Sequence, residues 1–171
     1  MTKNTLMLSV AAATLALGAC SKKPPEQLPP TPVETGTSEA PAPTDTLAGP
    51  GTQDHFTTAV GAPNTIVYFD TDKYDIDSED AAKLQTQARY FAQYSNVNFT
   101  IEGHADERGT REYNLALGER RANAAKNYLV SLGIPESRIR TVSYGKERPV
   151  ALDSTEAAWA ENRRAATVVI G

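Results

Sequence analysis

The chain has 171 residues, a formal net charge of -4, one Cys and two His. That inventory excludes a basic footprint for nucleic acid, an intramolecular disulfide, and a Cys/His zinc cluster. No apolar run reaches the roughly 20 residues that span a bilayer as a helix, so no membrane-crossing segment is expected in the mature chain.

In chain order, residues 1–19 read as an export signal. Met1-Thr2-Lys3 is a short positive start, and residues 6–17 form an apolar stretch of secretory length. It stops at Leu17-Gly18-Ala19-Cys20, which resembles a bacterial lipobox, where cleavage precedes the Cys and acyl chains are attached to it. The competing reading, an ordinary signal peptide and an inert Cys, leaves an unpaired thiol in an oxidising compartment. Lipidation of Cys20 is therefore expected, and Ser21 after it implies, by bacterial sorting, an outer-membrane destination. Two or three acyl chains anchor a protein stably where one does not.

Residues 20–55 read as a tether. Eight prolines fall among Thr, Ser, Glu and Gly between 21 and 55, with almost no large apolar residue, so the segment cannot bury enough surface to fold. As a flexible coil it would average about 30 Å end to end, and about 110 Å at the polyproline limit.

The folded domain is expected over 56–171. Residues 66–69 are a β-rich apolar run, and Ser78-Glu79-Asp80 opens a helix, with Ser78 as its cap, that ends near Tyr94. Residues 97–103 alternate apolar and polar as a second strand. Leu115, Gly118, Ala122, Ala125 and Leu129 form a helical stripe closed by Gly133. A third strand over 139–144, a short helix over 156–162 and a last strand over 165–170 complete a βαβαβ(α)β order. This predicts an α/β (α+β) domain with helices packed on one mixed four-stranded sheet.

No nucleophile elbow, phosphate loop, dinucleotide fingerprint or His-Glu-x-x-His pair is present, so no catalysis, cofactor or metal is expected. The densest polar constellation is His104 to Thr110, between the second strand and the next helix, where α/β folds place ligands. His104, Asp106 and Glu107 as a metal site is the weaker reading, because acids before a helix are explained by its dipole. On the helix, Asn114 and Arg121 lie two turns apart with Leu117 on an adjoining line, a polar row beside the apolar stripe. Two readings of Asp106 and Arg121 stay open from spacing alone. They form a surface ion pair, or they stand apart, Asp106 accepting an ammonium and Arg121 a carboxylate, and so recognise a zwitterion.

Phe69-Asp70, residues 102–110 (Glu-Gly-His-Ala-Asp-Glu-Arg-Gly-Thr), Glu112-Tyr113-Asn114, residues 117–122, residues 142–147 and Asn162-Arg163-Arg164-Ala165 resemble the OmpA-like domain family in order, over about 64–170. The resemblance implies a non-catalytic domain that holds the meso-diaminopimelate of peptidoglycan stem peptides. It implies Asp106 and Arg121 as principal anchors, Phe69 and Asp70 on the first-strand loop, Thr110 at the helix start, and Asn114 and Leu117 on the helix row. It also implies TolB and other Tol-Pal components as partners, with roles in envelope integrity and cell division.

Overall fold

The computed structural model describes residues 49–170; the expected signal peptide, Cys20 and most of the tether lie outside the described residues. Four strands, β1 (Ile66–Tyr68), β2 (Phe99–His104), β3 (Ile139–Gly145) and β4 (Arg164–Val169), form one sheet in the order β1-β4-β2-β3. β4 runs antiparallel to both β1 and β2, while β3 is parallel to β2, so the sheet is mixed as expected.

The helices are α1 (Gln53–Val60), α2 (Ser78–Gln93), α3 (Arg111–Ser131) and α4 (Glu156–Asn162). Each begins where a side chain satisfies a free first-turn amide. Thr52 caps α1, Thr110 caps α3 and Thr155 caps α4. The α2 cap is Asp77, whose carboxylate accepts from Asp80 N at 2.8 Å; Ser78, the expected cap, is the first helical residue. α3 stops at Gly133, whose φ of +92° favours a residue without a Cβ.

α1 was not expected, since it lies across the assigned tether boundary at 55. Its Phe56 is fully buried, and its Gln53 side chain accepts from Val169 N at 2.8 Å, so the folded body starts before residue 56. The core sits between the helices and the sheet face carrying Val67, Phe99, Ile101, Ala165 and Val169. Phe91 of α2 stacks on Phe99 with ring centroids 3.7 Å apart, and Phe56 stacks on Phe91.

α3 comes closest to the sheet at a pair of glycines. A Cβ on Gly103 would overlap the Gly118 carbonyl, and one on Gly118 would come within 2.8 Å of Gly103 O. This near-contact of backbones seats the first half of α3 over the end of β2, which sets Asn114, Leu117 and Arg121 beside the loop that follows β2.

Candidate functional site

Asp106 and Arg121 line one cleft of about 300 Å³ at the end of β2, together with Leu117, Asn114, Arg108 and Tyr113. Thr71 and Asp72 of the β1–α2 loop close its other side. Arg121 has no exposed surface and Asp106 only 7%.

The two are not partners of each other within ion-pairing distance. Arg121 donates from Nε to Lys73 O (2.9 Å), from Nη1 to His104 O (2.8 Å) and from Nη2 to Asp70 O (3.0 Å). Its guanidinium ties the β1–α2 loop to the end of β2, and Phe69 lies beneath it with its ring centroid 5.2 Å from Cζ. Three of its five N–H groups donate to backbone carbonyls, and the other two have no such partner. Burial and then the nearby Arg163 charge lower its pKa to about 10, so it stays cationic at neutral pH.

Asp106 follows the end of β2 in an Asx-type turn, its Oδ1 accepting from Arg108 N at 3.1 Å. Arg108 adds Nε to Oδ1 (3.0 Å) and Nη2 to Oδ2 (2.7 Å), and Arg163 Nη1 stands 3.5 Å from Oδ2. Burial alone would raise the Asp106 carboxyl, but the Arg108 hydrogen bonds and the Arg108 and Arg163 charges hold it below the ordinary carboxylate value. It is an anion at neutral pH, paired with Arg108 and close to Arg163.

The other expected residues divide. Leu117 and Asn114 line the cleft, and Asn114 Nδ2 donates to Arg108 O at 2.7 Å, which braces the loop. Thr110 is the α3 cap, bound to Tyr113 N, and does not line the cleft. Phe69 is core packing beneath Arg121. Asp70 offers its carbonyl to Arg121 but points its carboxylate away, to Lys73 Nζ at 3.0 Å, into a separate cleft of about 380 Å³. That larger cleft is lined by lysine-paired acids, the exposed Asp70 and Glu79 and the buried Asp80, and holds neither Asp106 nor Arg121.

Spacing does not register Thr71, Asp72, Tyr113 and Arg163 as parts of this neighbourhood, and it includes Arg108 in the His104–Thr110 constellation without a role. Asp72 holds a left-handed φ of +58° and accepts from Tyr113 Oη at 3.2 Å, a contact across 41 residues. The Arg121 row also sits deeper than a row beside the stripe. Asn114, Leu117, Gly118 and Arg121 are all buried, and Leu115 is only partly so. His104, the one imidazole of the weak metal reading, is buried in the sheet with neither ring nitrogen hydrogen-bonded. No group of metal-ligating side chains occurs among the described residues.

Comparison with known proteins matches this arrangement to one family. The OmpA family model matches residues 68–163, which include Asp106, Asn114, Leu117 and Arg121. The peptidoglycan-associated lipoprotein of Rhizobium meliloti is 47% identical over 169 residues, covering 99% of this chain and 89% of that protein. That of Agrobacterium fabrum is 44% identical over 171 residues, covering 100% and 90%. The crystal structure of the peptidoglycan-associated lipoprotein from Burkholderia pseudomallei shares 47% identity with a TM-score of 0.60, over 61% of this chain and 88% of that one. With a domain match over more than half its length and relatives of this identity from end to end, the chain belongs to the OmpA family, among its members named peptidoglycan-associated lipoproteins.

Proposed function

We propose that this chain is an outer-membrane lipoprotein whose folded domain binds peptidoglycan non-covalently through the zwitterionic side-chain end of meso-diaminopimelate. Asp106 takes the ammonium, the two free N–H groups of Arg121 take the carboxylate, and Leu117 and Asn114 shape the wall between them. The observation that carries the reading is a buried acid and a buried arginine that line one 300 Å³ cleft without pairing with each other. Separated, fixed charges of opposite sign in a water-poor cleft favour a ligand that carries both charges at the matching separation.

The relatives' name supports the wall as the target, and the lipobox-like segment supports the anchor. Acyl chains on Cys20 would hold the membrane and the Pro-rich tether would span the gap, so that two modest attachments act together through effective concentration. TolB and other Tol-Pal components are the partners that family resemblance supplies, with functions in envelope integrity and cell division. The domain is non-catalytic.

Calorimetric titration of the chain carrying Cys20→Ser with meso-diaminopimelate and with Nα-acetyl-L-lysine amide tests the site. The blocked lysine presents an ammonium and no carboxylate. Binding of the former and at least tenfold weaker binding of the latter is the expected result; equal binding would remove Arg121 from the site. Competition between TolB and a diaminopimelate muropeptide for the chain tests the partner assignment, with displacement expected if the two surfaces overlap.

A further inference from the structure

Arg108 occupies the place the ligand needs. Its Nε and Nη2 close on both oxygens of Asp106, and Nη2 also donates to Thr71 Oγ1 at 3.2 Å, so the side chain bridges the two loops that flank the cleft. With the Arg108 amide on Oδ1 as well, one residue fills three of the roughly four acceptor positions of the carboxylate.

The backbone of Arg108 is held on both sides, its N–H by Asp106 Oδ1 and its C=O by Asn114 Nδ2. The side chain, 39% exposed, is the part free to move. Its guanidinium already touches a second set of partners besides Asp106. The Trp159 ring centroid is 4.2 Å from Cζ, and Glu156 Oε2 is 3.8 Å from Nη1. Arg163, the other cation on Asp106, is buried and donates from Nε to Phe69 O at 2.9 Å, with Nη2 2.9 Å from Glu156 Oε1, so it stays fixed.

We propose that Arg108 is a specificity-determining residue of this cleft: its guanidinium fills the ammonium position on Asp106 in the free protein, and a ligand ammonium displaces it from Asp106, leaving it held by Trp159 and Glu156, which it already touches. The inference rests on the binding reading above and adds a competitor to it. The exchange leaves Asp106 with the same number of cations, so an ammonium alone gains little by entering. A ligand that also brings a carboxylate to Arg121 gains a contact that no internal group supplies. Arg108 thus raises the threshold against simple amines, which is selectivity by competition.

The chain contains one Trp, so Trp159 emission reports the position of the guanidinium against it. The experiment titrates wild type, Arg108→Gln and Asp106→Asn, all with Cys20→Ser, with meso-diaminopimelate and with Nα-acetyl-L-lysine amide, which has an ammonium and no carboxylate, by calorimetry and by Trp emission. Arg108→Gln should bind meso-diaminopimelate about threefold to tenfold more tightly, in keeping with release of a partly exposed ion pair. It should also bind the blocked lysine measurably, narrowing the preference about tenfold. Saturating wild type with meso-diaminopimelate should shift Trp159 emission, the same addition to Arg108→Gln should not, and Asp106→Asn should show altered emission with no ligand present. Unchanged or weaker binding by Arg108→Gln overturns the proposal, as does wild-type emission that ignores bound ligand. Absence of meso-diaminopimelate binding by wild type and by Arg108→Gln is a different result, and overturns the binding reading together with this one.

Discussion

Replacing Arg121 with alanine should unfold much of the site as well as empty it. The side chain is fully buried and donates three hydrogen bonds to the carbonyls of Asp70, Lys73 and His104, which hold the β1–α2 loop against the end of β2. Hydrogen bonds from a charged donor contribute about 1.5 to 3 kcal/mol each. Two of these carbonyls lie on a loop that water can reach after the change, and the burial that lowers the arginine's pKa to about 10 is a cost that disappears with it. A net loss of about 3 kcal/mol remains, out of a total stability on the order of 5 to 15 kcal/mol. With a urea dependence of about 1.5 kcal/mol per molar, the unfolding midpoint should fall by about 2 M. Urea titration of the Cys20→Ser chain followed by circular dichroism measures this. A midpoint within about 0.3 M of wild type, with ligand binding abolished, would refute the loop-clasp role and leave Arg121 as a ligand group alone.

Three further outcomes follow from the same geometry. Asp106→Asn keeps the shape of the cleft but not its charge, and should weaken binding of meso-diaminopimelate by about 2 to 5 kcal/mol while the chain stays folded; titration calorimetry with a dichroism control checks it. His104 is 2% exposed, and burial, then the Arg164 and Arg148 charges, lower its pKa from 6.5 to about 4. The unfolded chain therefore binds a proton between pH 6.5 and 4 that the folded chain does not, so stability falls with pH across that window, by about 2 kcal/mol at pH 5 relative to pH 7.5. Urea midpoints at the two pH values should differ accordingly, and His104→Phe should flatten the difference. Gly103→Ala forces α3 off β2, because the new methyl meets the Gly118 carbonyl, and should cost about 3 kcal/mol, read as a lower thermal midpoint.

The order of strands and major helices was legible because each carries its own period and its own stop. The alternation through Phe99 and Ile101, and the stripe through Gly118, Ala122, Ala125 and Leu129 ending at Gly133, need no distant information. α1 escaped notice because it follows a Pro-rich run and has only Phe56 and Val60 as large apolar residues, although Thr52 before it and Gly61 after it are cap and stop signals. Helical spacing puts Arg121 in a polar row beside the apolar stripe. Its actual partners are backbone carbonyls 17 to 51 residues away, which helical spacing cannot register. The same holds for Asp106. Its neighbour Arg108 was in view in the motif, but the approach of Arg163 depends on β4 pairing between β1 and β2. The Asp70 carboxylate pairs with Lys73, and the positive φ in that loop falls on Asp72, where no glycine marks the turn.

The most direct test of the central claim is co-sedimentation of the Cys20→Ser chain with purified sacculi of two kinds, one with meso-diaminopimelate and one with lysine at the third stem position. Wild type should pellet with the first and stay in solution with the second, and folded Asp106→Asn should stay in solution with both. Equal pelleting with the two kinds of sacculi, or pelleting of Asp106→Asn like wild type, would contradict recognition of a zwitterion by the Asp106–Arg121 cleft.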